Sequence, residues 1–315
     1  MRLLLYINKH IFWGGNKKMA KSNFVIMLDG SCDLPNELCE KYDFIKIPHY
    51  LTMDKENYII DNGKEITNEE FYRRLIDEKL FPKTAFPTMP DFIDMFSAHM
   101  KEGKDVLCLA ITSKFSGVYQ ALCTVREELL ETFPDRKMAV VDSRLVSAAE
   151  GFAALEASRM REVGFTLEKT VEFLDKMADD AQLNITVDSL EHLKNGGRIG
   201  KTAALAGSIL NVKPIITLKD GELMPHSKVR GRKKAIAEIL NMTIENLKHD
   251  PKDYNIVVVH STSKDDSEYL KNQLEEKINM KLEYENIELG IIVGSHIGPT
   301  VCAICCYPKY EKYSD

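Results

Sequence analysis

The sequence predicts an α/β protein of two domains with mainly parallel sheets. Three observations carry this expectation. The chain has 315 residues, 44% hydrophobic and 29% charged, which is a globular composition long enough for two compact units. Apolar strand-like runs alternate with amphipathic helical runs from Phe24 onward, and that alternation implies parallel sheets. A second such series begins at LNITVDS, after two helices, so the boundary is expected within the helical stretch, with domains at 23–165 and 166–315.

The elements follow in order. FVIMLDG reads as a strand, and Asp33-Leu34-Pro35 opens a helix, because proline suits a first helical turn. FIKIPHYLTM supplies one or two strands. Thr67-Asn68-Glu69-Glu70 forms a capping box before FYRRLIDEK, and MPDFIDMFSAHMKEG is the next helix. DVLCLAIT is a buried strand, FSGVYQALCTVREELLETF a helix and KMAVVDS a strand. LVSAAEGFAALEASRMREVG and TLEKTVEFLDKMADDA are helices. In PIITLKDGELMPHSKV, Asp220-Gly221 between two strand-like runs signals a hairpin. GRKKAIAEILNMTIENLKH is a helix, YNIVVVHS a strand and SKDDSEYLKNQLEEKI a helix. IIVGSHIGP and VCAICCY are expected as the closing strands.

Charge and cysteine content exclude several classes. A net charge of -6 argues against a nucleic-acid partner, although Lys228 to Lys234 is locally basic. Seven irregularly spaced cysteines point to a reducing cytoplasm. The start MRLLLYINKHIFWGG is broken by Asn8, Lys9 and His10 and is too short for a stable membrane insertion. Residues 1–22 are expected to be a disordered or non-native leader, with Met19 a natural start. Cys302-x-x-Cys305 lies in an apolar run and reads as buried structural cysteine, not as a metal site.

NGGRIGKTAAL, Asn195 to Leu205, comes within one residue of a phosphate-binding loop. The loop GxxxxGK[ST] needs a glycine at 195 and a strand running into it; the chain has Asn195, preceded by the helical LEHLK. Asn195-Gly196-Gly197 is therefore a helix C-cap, which leaves Arg198 and Lys201 exposed for contact with a partner. Neither HExxH nor GxSxG occurs.

Polar residues beyond strand ends are better candidates, since ligands in open α/β sheets bind there. Ser116 and Gly117 follow DVLCLAI at a helix start, where Ser116 is either an anion ligand or a simple N-cap. His296 follows IIVGS and could donate to a carboxylate or phosphate, or serve structurally. Thr84 and Thr88 stand in FPKTAFPTMPDF, a proline-punctuated loop before a helix.

LDGSCDLP, KTAFPTMPDF, ITSKFSGVYQAL, VVDSRLVSAAEG, LEHLKNGGRIGKTAALAGSILNVKPIITLKDGEL, KVRGRKKAI and GSHIGP occur in this order, and together they resemble the DegV family. The resemblance covers nearly everything from Phe24 onward. It, and not the alternation of elements, implies a ligand held between the two domains: a long-chain fatty acid, bound without catalysis or another cofactor. The family's role is to present the acyl carboxylate to a separate ATP-dependent fatty acid kinase, which makes acyl phosphate for phospholipid synthesis. By this resemblance Thr84, Ser116 and His296 hold the carboxylate, and Arg198, Arg230 and Arg232 dock the kinase.

The chain departs from the family pattern at several points. Gly30 replaces the usual serine after Asp29, Ala85-Phe86 replaces a Ser-Gln pair, and Ile297 and Thr300 replace a threonine and a glycine. The competing reading from the residues is a small-molecule hydrolase or phosphotransferase using Ser116 and His296.

Overall fold

The computed structural model describes residues 22–61, 63–206, 211–247 and 250–314. The leader expected at 1–22 lies, except for Ser22, outside the described residues.

The first half builds a parallel sheet from strands that are apolar except for a charged residue at one end of three of them. These are β1 (Phe24–Leu28), β2 (Phe44–Lys46) after α1 (Asn36–Lys41), β6 (Asp105–Ala110) and β7 (Met138–Asp142), ordered β2-β1-β6-β7. Strands buried on both faces need apolar residues at every position rather than at alternate ones, and DVLCLA satisfies this. β3 (His49–Met53), β4 (Glu56–Ile60) and β5 (Lys83–Ala85) form a small antiparallel sheet beside it. Here HYLTM alternates, burying His49, Leu51 and Met53.

The helices begin where their caps predict. α2 (Asn68–Asp77) starts at Thr67, whose side chain accepts from the Glu70 amide. α3 (Met89–Lys101) carries a complete capping box between Thr88 and Asp91. α4 (Val118–Thr132) follows β6.

α5 (Ala148–Glu162) is buried almost throughout and packs between this sheet and the second one; α6 (Leu167–Ala178) follows. The second sheet has the order β10-β9-β8-β13-β11-β12. Its strands are β8 (Gln182–Thr186), β9 (Val212–Lys219), β10 (Glu222–Arg230), β11 (Tyr254–His260), β12 (Ile287–Glu288) and β13 (Cys302–Pro308). Its helices are α7 (Glu191–Asn195), α8 (Arg232–Asn246), α9 (Lys264–Ile278) and α10 (Ile291–Ile297).

Two expectations need correction. The parallel arrangement holds for the first sheet, but the second is antiparallel apart from β11 with β12. The cause is local: the two-residue turn at Asp220-Gly221 forces β9 and β10 antiparallel, and β13 then enters between β8 and β11 in reverse. IIVGSHI is a helix, not a strand, because a short, mostly buried run carries too few positions for a period that separates the two. On β13, Cys302 and Cys306 face one core while Cys305 faces the other, so Cys302 and Cys305 point away from any common metal.

The β9–β10 turn also joins the halves of the molecule. Thr112 Oγ1 donates to the Gly221 carbonyl at 3.0 Å, and Gly221 adopts φ +78°, with Asp220 at +51°. A Cβ on Gly221 would stand 2.3 Å from Thr112 Oγ1. Gly221→Ala should therefore lower unfolding free energy by about 1–3 kcal/mol, through left-handed backbone strain plus that clash. Urea denaturation checks this, and an unchanged midpoint would remove the turn from the interface.

Candidate functional site

A cavity of about 290 Å³ opens between the two sheets, and its wall contains all three expected carboxylate ligands. Thr84 comes from β5, Ser116 from the loop after β6 and His296 from α10. Thr84 Oγ1 and His296 Nε2 lie 2.8 Å apart, a hydrogen bond whose direction depends on the imidazole tautomer. Ser116 Oγ accepts from the Val118 amide at 3.2 Å, a local turn one residue before the N-cap, which is Gly117 and not Ser116, so the simple N-cap reading of the serine is corrected. Ser116 still lines the cavity, and its hydroxyl keeps a donor and a second lone pair for a ligand.

The Gly-Gly-Arg segment completes this corner. α7 ends in a paired C-cap: the Gly197 amide donates to the Lys194 carbonyl at 3.1 Å and the Arg198 amide to the Leu193 carbonyl at 2.8 Å. Gly197 supplies the φ of +73° that this cap requires. Gly196 packs against His296, where a Cβ would come within 2.7 Å of Nδ1. The cap turns Arg198 inward, so the exposure expected for it is corrected. Its Nε donates to the Phe115 carbonyl at 3.0 Å, beside Ser116, and its Nη1 to the Gly196 carbonyl at 2.5 Å.

Burial first, and then the Arg198 charge, push His296 down from its ordinary 6.5 to about 4. The imidazole is therefore neutral at physiological pH. Among the described residues its Nδ1 has no hydrogen-bond partner.

The other two arginines lie elsewhere. Arg232 is engaged within the chain: Nε to Asp266 at 2.8 Å, Nη1 to the Thr300 carbonyl at 2.9 Å and Nη2 to Ser263 at 3.2 Å. Arg230 is exposed at the far end of β10, seven residues from Leu223, which lines the cavity. At roughly 3.3 Å per residue that is about 20 Å, beyond reach of the carboxylate corner.

Most of the remaining wall is apolar, including Phe86, Ile111, Phe115, Ile185, Ile292 and Ile297. It also contains a polar group that the motifs did not mark: Asp29, Ser31 and His49. Asp29 accepts from the Ser31 amide at 2.9 Å and from the Ile111 amide at 3.4 Å, and its Oδ1 lies 3.3 Å from His49 Nε2. Ser31 Oγ donates to Glu150 at 3.1 Å; burial, followed by the Asp29 charge, drives the Glu150 carboxyl well above its usual range. The available signals were Gly30, a departure from the family pattern, and a histidine in the inward register of the alternating HYLTM.

The expected cleft has an independent counterpart in known proteins. Residues 23–309 match the family model described as uncharacterised proteins of the DegV family. A DegV domain-containing protein of Clostridium perfringens, CPE0026, is 33% identical over 285 residues, covering 89% of this chain and 96% of its own. The structure of a stearic acid-binding protein from Eubacterium ventriosum superposes with a TM-score of 0.86 at 32% identity, over 92% of this chain and 99% of that one. A fatty-acid-binding DegV family protein from Thermus thermophilus gives a TM-score of 0.82 at 30% identity, over 91% and 99%. With a family model spanning most of its length and relatives matched nearly end to end, this chain belongs to the DegV family.

Proposed function

We propose that this protein is a non-catalytic carrier that binds a long-chain fatty acid in the cavity between its sheets. Thr84, Ser116 and His296 hold the carboxylate, and Arg198 adds a fixed positive charge. The observation that carries this reading is the meeting of two hydroxyls, a neutral imidazole and a guanidinium in one corner of a mostly apolar cavity. An ionised carboxylate accepts about four hydrogen bonds, and hydroxyl and guanidinium groups are suited to supply them. The stearic acid-binding and fatty-acid-binding descriptions of the two structural relatives support the same ligand.

The carboxylate is then presented to a separate ATP-dependent fatty acid kinase, which forms acyl phosphate for phospholipid synthesis in the cytoplasm. Support comes from the family resemblance and from the helix C-cap that stands where a phosphate loop would be needed. Docking falls to Arg230, since Arg198 faces the cavity and Arg232 is held by Asp266. The hydrolase alternative is less well supported. His296 Nε2 is engaged with Thr84 rather than Ser116, and no carboxylate orients its Nδ1 among the described residues. The domain division at 165/166 remains part of this proposal.

Mass spectrometry of lipid extracted from the purified protein should find a long-chain acyl ligand. Its absence, together with no binding of added fatty acid, would overturn the carrier reading. Ser116→Ala should weaken fatty-acid binding by about 1–3 kcal/mol in a fluorescent displacement assay, and equal affinity would exclude Ser116 from the site. Arg230→Glu should cut kinase-dependent acyl phosphate formation about tenfold while fatty-acid affinity holds. Unchanged phosphorylation would end the docking role.

The neutral His296 also gives a pH signature. Its folded value of about 4 lies below its ordinary 6.5, so between these limits the unfolded chain binds more protons and stability falls as pH falls. From pH 7 to pH 5 the ligand-free protein should lose about 2 kcal/mol more than His296→Gln. Parallel stability curves for the two proteins would refute a neutral buried imidazole.

A further inference from the structure

We propose that Asp29, Ser31 and His49 form a second polar subsite that selects fatty acids carrying a hydroxyl group on the acyl chain. The proposal rests on the fatty-acid reading of the cavity. All three residues line the cavity and are nearly inaccessible, Asp29 at 0%, Ser31 at 1% and His49 at 5% exposure.

A plain acyl chain has no use for such a wall. Methylenes laid against the exposed edge of His49 return no hydrogen bond to it. A hydroxyl does, because it can hydrogen-bond to the imidazole, which Asp29 contacts from behind. His49 Nε2 stands 3.3 Å from Asp29 Oδ1 and Nδ1 stands 3.4 Å from the Ile47 carbonyl, both at the long limit of hydrogen bonding.

The chain makes space for this imidazole. A Cβ at Gly30 would lie 2.4 Å from His49 Nδ1 and 2.6 Å from the Ile47 carbonyl, so no larger residue fits without moving the ring. The subsite is also distinct from the carboxylate corner. Leu51 pairs with Thr84, and His49 precedes Leu51 by two residues on the same buried face of β3. That step is about 7 Å along the strand, so His49 answers to a position several carbons down the ligand. Asp29 repels a carboxylate while Arg198 attracts one, and this fixes which end of the ligand enters which subsite.

Affinities for stearate and for a positional series of monohydroxystearates test the proposal in the full chain and in His49→Leu and His49→Gln. In the unaltered protein one hydroxyl position should bind about tenfold tighter than stearate. His49→Leu should abolish that preference while tightening stearate, and His49→Gln should keep part of it, which separates lost selectivity from misfolding. A hydroxystearate series that never exceeds stearate, or a preference that survives in His49→Leu, overturns the subsite and leaves the carrier reading intact. If neither stearate nor any hydroxystearate binds, the carrier reading falls and the subsite with it.

Discussion

The structure depends on α5 being buried on every side. AAEGFAALEAS has no polar face to give to solvent, so both of its flanks must be covered by protein. The parallel sheet covers one and the β13–β11 region of the second sheet covers the other. Gly151 lets Leu34 approach closely, a Cβ there falling 2.4 Å from Leu34 Cγ. Glu156 sits in the middle of this sandwich with 0% exposure and ties its parts together: Arg159, Asn255 Nδ2 and the Tyr310 amide all donate to it. Burial raises its carboxyl above the ordinary range even so. A buried charge of this kind is tolerable only while every partner stays in place, and that requirement makes the spacing of the two sheets a fixed quantity.

Fixed spacing is what creates the cavity. The parallel strands β1 and β6 end at Asp29 and Ile111, and the polar turns beyond them cannot pack as tightly as the strands. α7, α10 and the β9–β10 turn approach the same edge from the second sheet, the last through Gly221 and Thr112. The cleft is thus walled by strand ends on one side and by helix ends on the other. That geometry brings single polar side chains from distant segments into an apolar space, as Thr84 and His296 meet across 212 positions of sequence.

How much of this was legible depends on the range of the interaction. Caps and turns are local, so Thr67, Thr88 and Asp220-Gly221 announced themselves, and the mixed α/β class followed from the alternation of strands and helices, whereas a site between sheets was implied only by the resemblance. Thr84, Ser116 and His296 stood out as polar residues beyond apolar runs, the resemblance gave them their expected role, and the structure brings them to one cavity. Sheet direction in the second half was misread because it is decided by how β13 inserts, a long-range pairing with no local trace. The α10 helix was misread because a seven-residue run, five of them buried, satisfies either period. Asp29 and His49 escaped notice because neither belongs to a catalytic spacing; only their convergence at 3.3 Å gives them meaning.

The near-miss NGGRIGKT shows why context outweighs residue identity. A phosphate loop works because successive amides and a helix N-terminus point at the anion. Here the same glycines close a helix: the Gly197 and Arg198 amides donate to the Lys194 and Leu193 carbonyls and are not free to wrap an anion, and that end of a helix disfavours negative charge. Arg198 offsets this directly by donating to the Gly196 carbonyl and to the Phe115 carbonyl, which also pins its guanidinium beside Ser116. One arginine thereby satisfies two carbonyls and leaves net positive charge at the corner proposed to hold a carboxylate. The segment that fails as a nucleotide cradle is for that reason well suited to holding a single anionic head group.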